Sequence, residues 1–134
     1  MLGEKLGEDI GQVTGMRVLP SPNGIPQVET SFQASGVFLG TQATDIGTFV
    51  STPRPDGNYA GEGQGILRTE DGDVATWTGT GIGVPGPGGA VSWRGCVYYQ
   101  SASEKLARLN GCAGVYEFDV DASGKVEARI WEWK

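Results

Sequence analysis

The sequence contains no histidine. Imidazole is the commonest general base and metal ligand near neutral pH, so its absence excludes imidazole-ligated zinc sites, Ser-His-Asp triads and Cys-His dyads. Proton transfer must rest on Asp, Glu, Lys, Tyr or Cys, and neither a metal nor a cofactor is expected. Cysteine is scarce, at Cys96 and Cys112 alone. The start, Met1 to Asp9, is polar, and the apolar segment of a signal peptide does not follow. A cytoplasmic, reduced setting is therefore expected, with two buried apolar thiols and no disulfide. No run approaches the ~18 apolar residues of a membrane span. Positive charge is in deficit: ten Lys and Arg against sixteen Asp and Glu leave a net charge of −6. That opposes a nucleic-acid partner, and no basic amphipathic helix offers itself to a membrane surface. Helical patterning is nearly absent too. The one short helix expected is Ala102–Leu109, about two turns long, with Ser103 as N-cap.

What is abundant is glycine: 23 of 134 residues, more than twice the usual ~7 per cent. Many fall at every second position, as in Gly61-Glu62-Gly63-Gln64-Gly65 and Trp77-Thr78-Gly79-Thr80-Gly81-Ile82-Gly83. Alternate residues of a strand share a face, so each segment has one face nearly stripped of side chains. Such positions mark bends, bulges or the close approach of a backbone or ligand, and they suit a strongly curved sheet.

Period-2 alternation recurs along the chain. Strands are predicted over Gly7–Pro20, around Val28–Ser35 and Thr44–Ser51, and over Tyr59–Thr69, Val74–Gly83, Ala90–Gln100, Ala113–Val120 and Val126–Trp133. Turn chemistry separates them at Ser21-Pro22-Asn23-Gly24, Arg54-Pro55-Asp56-Gly57-Asn58, Glu70-Asp71-Gly72-Asp73 and Asp121-Ala122-Ser123-Gly124. At this length the chain is read as one domain, residues 1–134. The fold class is all-β, a closed antiparallel eight-stranded barrel with one short helix, since closure removes the exposed edges of such a sheet.

The turn at Asp71-Gly72 sets which residues of its hairpin share a face. An even-length turn puts Glu62 opposite Gly81, Gln64 opposite Gly79 and Ile66 opposite Trp77, so that polar side chains sit beside gaps left by glycine. A three-residue turn reverses this facing. Charged residues embedded in apolar strands (Glu29, Asp45, Glu62, Arg94, Glu117, Glu132) make a polar interior a real alternative to a solvated surface. A carboxylate paired with Arg94 would be stable inside, and a partly buried Glu would have a raised pKa suited to acid–base work. With Arg94 inward, Val91, Trp93, Val97 and Tyr99 point outward. That face would demand a partner, a second copy of the chain. The Trp and Tyr residues suit either a ligand wall or an ordinary core.

Other patterns carry little. Gly81-Ile82-Gly83-Val84-Pro85-Gly86 matches the dinucleotide fingerprint in form only, because Pro85, Gly86, Pro87 and two more glycines forbid the helix it requires. Asp119–Asp121 with Ser123 and Gly124 lacks the ordered ligands of a calcium loop. Ser103 and Lys105 lie two apart on a helix and cannot face each other.

Through Thr44-Asp45-Ile46-Gly47-Thr48-Phe49, Arg54-Pro55-Asp56-Gly57, Gly61-Glu62-Gly63-Gln64-Gly65, Ala75-Thr76-Trp77-Thr78-Gly79, Ser92-Trp93-Arg94-Gly95 and Trp131-Glu132-Trp133-Lys134, the chain resembles a small family of uncharacterised bacterial proteins. These are similar in fold to the allene oxide cyclase barrel. The resemblance implies a central cavity and frequent assembly into oligomers. The plant cyclases take an unstable fatty-acid epoxide into that cavity, and related bacterial barrels shape cyclisations in polyketide pathways. No cyclase motif maps onto numbered residues here, and fold analogy is a weak warrant for function.

The expectation is a barrel that binds a small, largely apolar molecule and, if an enzyme, performs cofactor-free isomerisation, cyclisation or a lyase step. Glu62 would be the acid or base and Arg94 an anion partner. Gln64 and Tyr98 would orient the substrate, and Trp77 would supply apolar wall. The alternatives are a non-catalytic ligand carrier and a structural or partner-binding barrel with a filled core.

Overall fold

The structure, a computed structural model, describes residues 1–21 and 23–134. The expected first turn includes Pro22, which lies outside the described residues. Eight strands form in chain order: β1 (Leu2–Leu19), β2 (Gln27–Phe38), β3 (Thr41–Pro53), β4 (Tyr59–Thr69), β5 (Val74–Pro85), β6 (Val91–Gln100), β7 (Gly114–Val120) and β8 (Lys125–Trp133). Each pairs antiparallel with the next, and β8 returns to β1, closing the barrel. Every strand is central, so no row of backbone donors is left at an edge.

The connections divide between the two ends. One end carries the two-residue turn Leu39-Gly40, the β4–β5 loop and the β6–β7 connection. The other carries the longer β1–β2 connection and the turns around Asp56, Pro87 and Asp121. The β6–β7 connection holds the expected helix, but it is wound as a 3-10 helix over Glu104–Gly111. Its buried Leu106 and Leu109 are three residues apart, one turn of a 3-10 helix, and so fall on the same side. They join Leu6, Phe38, Leu67 and Ala75 in one apolar cluster that fills this end of the barrel. Ser103 occupies the N-cap position without capping; its hydroxyl donates instead to Asp73 Oδ1 at 2.7 Å.

The β4–β5 turn corrects the expected register. Its loop is Glu70-Asp71-Gly72, three residues rather than an even number. Gly72 takes a positive φ of 89°, and Thr69 N donates to Asp73 O at 2.9 Å. A type I turn closed by a left-handed glycine is the usual three-residue solution. Gly65 therefore faces Trp77, Gly63 faces Gly79 and Gly61 faces Gly81, while Glu62 and Gln64 lie opposite Thr80 and Thr78. Because side chains alternate with period two, this one-residue difference turns β4 over relative to β5, which keeps the facing expected of it. The glycines and Trp77 face inward; Glu62 and Gln64 face outward.

The bare backbone is covered by indoles. A methyl on Gly65 would run into the Trp77 ring and one on Gly61 into Trp93, while one on Gly47 would come within 2.6 Å of Trp77 and one on Gly83 within 2.9 Å of Trp93. Two tryptophans thus lie against stretches of side-chain-free strand, and glycine alternation lets a narrow barrel hold rings of this size.

Candidate functional site

Inside the barrel is a cavity of about 80 Å³, bordered by Phe32, Phe49, Trp77, Trp93, Tyr99 and Phe118 among others. The rings interlock: Phe32 and Phe118 meet edge to face at 4.9 Å between centroids, Phe49 and Trp93 at 5.4 Å, and Trp77 stacks on Phe32 at 6.3 Å. Such arrangements hold the rings in fixed orientations. The volume accommodates a compact group, well short of the ~300–1,000 Å³ of pockets that engulf larger ligands.

Two carboxyls enter this apolar space. Asp9 projects from β1 between outward-facing Glu8 and Ile10, and Asp45 projects from β3 between outward-facing Thr44 and Ile46. Asp45 Oδ1 accepts a 2.8 Å hydrogen bond from Trp77 Nε1. Asp9 Oδ1 is buried with no hydrogen-bond partner among the described residues. Loss of hydration pushes the Asp9 carboxyl up to about 6. Asp45 is pushed up to about 7, chiefly by burial; the Trp77 bond opposes the rise and the nearby Asp9 charge adds to it. The Tyr99 phenol is raised well above its ordinary value by burial, then by the Asp45 and Asp9 charges, so it stays a neutral donor. Tyr116, whose hydroxyl donates to the Thr80 carbonyl at 3.1 Å, is pushed up to about 12 by burial and then by Cys96.

Two interacting carboxyls with raised pKa values titrate as a pair. Near neutral pH one can hold a proton while the other is ionised, so the cavity contains both an acid and a base without histidine.

The five residues singled out in the sequence divide sharply. Trp77 lies on the inner wall. Glu62, Gln64, Arg94 and Tyr98 have exposed positions on the outer face, which corrects their expected placement in the interior. Glu62 borders the cavity only as part of a Gly-Glu-Gly stretch, where the strand backbone itself is the wall. Arg94 reaches Asp119 at 2.7 Å and Glu117 at 3.8 Å, in an outer network that also holds Arg129. Tyr98 lies over a separate outer depression bordered by Thr78, Gln100 and Asn110. Because Arg94 points out, Trp93, Val97 and Tyr99 point in and are buried. The apolar outer face inferred from β6 therefore does not form. The thiols of Cys96 and Cys112 are free, each half-buried.

Of the two cavity carboxyls, Asp45 was visible as a charge embedded in a strand, and it shares its phase with Gly47 and Phe49. Asp9 belongs to a stretch that reads as polar. The signal that could have found it is its phase with Gly11 and Val13, the inward side of β1.

The fold and this interior define a class: a closed antiparallel β-barrel with an aromatic, acid-bearing cavity. No protein-family model and no curated protein sequence matches the chain. Solved structures of similar fold exist. A conserved protein of unknown function from Rhodopseudomonas palustris aligns over 98% of this chain and 97% of its own, with a TM-score of 0.82 and 12% identity. A β-barrel-like protein from Acinetobacter baumannii aligns over 100% and 96%, with a TM-score of 0.83 and 12% identity. An enzyme from Penicillium herquei aligns over 96% and 92%, with a TM-score of 0.71 and 17% identity. At these identities the likeness is one of fold. No helix among the described residues is long and apolar enough to cross a membrane.

Proposed function

We propose that the protein binds a small, largely apolar molecule in its barrel and catalyses a cofactor-free proton transfer on it, an isomerisation or cyclisation as in the allene oxide cyclase-like barrels it resembles. Asp9 and Asp45 are the acid–base pair, in place of Glu62 and Arg94. Trp77 orients Asp45 and forms the wall, and Tyr99 supplies a neutral hydrogen-bond donor. The observation that carries this reading is the pair of carboxyls in an aromatic cavity, one of them with a buried oxygen that no group among the described residues satisfies. A group buried at such cost is more economically explained by a ligand than by stability. The Penicillium herquei enzyme adds that a barrel of this shape is compatible with catalysis.

Native mass spectrometry of freshly purified protein tests binding, and incubation of the co-purified molecule in deuterium oxide tests proton transfer. Wild type is expected to exchange deuterium into the molecule, and Asp45→Asn to bind it with exchange reduced at least 100-fold, the lower end of what a positioned acid–base group contributes. A bound molecule that never exchanges would favour a ligand carrier.

A further inference from the structure

Resting on that reading of the cavity, we propose that the molecule enters with a positively charged head: an alkylammonium group, held between Asp9 and Asp45 against the aromatic wall. The argument begins with sign. Two carboxyls face the cavity, and none of the residues bordering it is a Lys or Arg. Eight of the described cationic residues find carboxylate partners outside, among them Arg94 and Arg129 with Glu117 and Asp119, Arg108 with Glu4 and Glu132, and Lys105 with Asp71. An oxyanion or carboxylate ligand would meet one like charge near neutral pH, two above it, and no counter-charge.

The neutral part of the wall has the same preference. Aromatic rings present negative faces, which attract a cation, and Phe32, Phe49, Trp77, Trp93 and Phe118 all border the space. The hydrogen-bond inventory agrees. Asp9 Oδ1 lacks a donor and Asp45 Oδ1 has one, from Trp77. An ammonium group has N–H donors to spare and no acceptor to satisfy. The volume of about 80 Å³ suits a head group and a short alkyl body.

The other groups facing these carboxyls do not compete. Tyr99 and Tyr116 remain protonated across the neutral range. The inner positions bordering the cavity on β2, β4, β5 and β8 are Phe32, Gly61, Gly63, Trp77, Gly79, Ala128 and Ile130, none ionisable. Cation binding should therefore follow ionisation of the two carboxyls alone.

The test compares isobutylammonium with isobutanol, a pair of nearly equal shape differing in charge, by calorimetric titration of the full chain at pH 5 and pH 8. Isobutylammonium is expected to bind at least tenfold tighter than isobutanol at pH 8 and to lose most of that advantage at pH 5. Asp45→Asn and Asp9→Asn are each expected to weaken the ammonium about tenfold at pH 8 and to leave isobutanol within twofold. Equal or tighter binding of isobutanol at pH 8 would overturn the proposal while leaving the cavity a binding site. Unchanged ammonium affinity in both variants would also overturn it. Failure of both probes, with no molecule co-purifying, would remove the binding reading itself.

Discussion

At the scale of single residues, Asp45 makes a measurable claim about stability. Its carboxyl titrates at about 7 in the folded chain against 3.8 ordinarily, and Asp9 at about 6. A raised carboxyl means that the folded state binds the proton more tightly than the unfolded state does. The associated stability is complete below about pH 4, declines progressively above it, and is fully lost once pH has risen through 6 and 7. Wild type is therefore expected to be more stable at pH 5 than at pH 8. Taken alone, the displacement of Asp45 corresponds to about 4 kcal/mol, but Asp9 shares the same proton traffic. Asp45→Asn keeps an oxygen to accept from the Trp77 indole and removes the charge, so it is expected to gain about 1–3 kcal/mol at pH 8 and less than half of that at pH 5. Urea unfolding at the two pH values measures this. A variant less stable than wild type at pH 8 would mean that the carboxylate already has a counter-charge in the protein.

At the scale of elements, the β4–β5 hairpin shows what the sequence could and could not tell. Alternation is a local property, so the strands and most of their limits were legible, as were the Asp-Gly turn and barrel closure. Which of two faces points inward is not local. It hangs on the parity of one loop, and Glu70-Asp71-Gly72 has three residues where an even turn was expected. That single residue moved Glu62 and Gln64 out of the barrel and the glycines in. The misplacement of Arg94 and Tyr98 followed from the same ambiguity on β6, where bulky Trp93, Val97 and Tyr99 suited either core or interface. The glycine spaces are slots for indoles, which sequence spacing does not display because Trp77 and Gly47 are brought together only by folding. Gly65→Ala tests the slot. Its methyl would strike the Trp77 ring, so a loss of about 1–3 kcal/mol from overpacking is expected. A shifted Trp77 would also weaken its bond to Asp45 and move the pH dependence of unfolding. If Gly65→Ala is neutral and that dependence is unaltered, the indole does not rest on β4.

At the scale of the whole molecule, the ion pairs and the aromatic bulk lie on opposite surfaces of one closed sheet, although the outer surface also exposes Ile10, Ile46, Ile66 and Ile82. The outer surface carries the ion pairs among Arg94, Arg129, Glu117 and Asp119, each partner partly exposed to water. Exposed pairs of this kind contribute about 0–1 kcal/mol. The inner surface carries the aromatic cluster, and the barrel is closed at one end by the leucines of the 3-10 segment, with Leu109 fully buried. A closed barrel cannot relax by sliding an edge strand, so a void opened beneath that plug is filled only in part. Leu109→Ala is accordingly expected to cost about 2–5 kcal/mol, against less than about 1 kcal/mol for Arg94→Ala. The two variants also separate inside from outside in function. Arg94→Ala should leave cavity affinity within twofold, because its side chain never meets the ligand. Leu109→Ala should loosen the end on which Phe38, Tyr99 and Ile130 are packed in the same cluster, and so weaken binding. Chemical unfolding paired with ligand titration reads both effects. An Arg94→Ala protein that folds normally yet loses its ligand would place the functional surface on the outer wall, where Arg94 and Tyr98 stand.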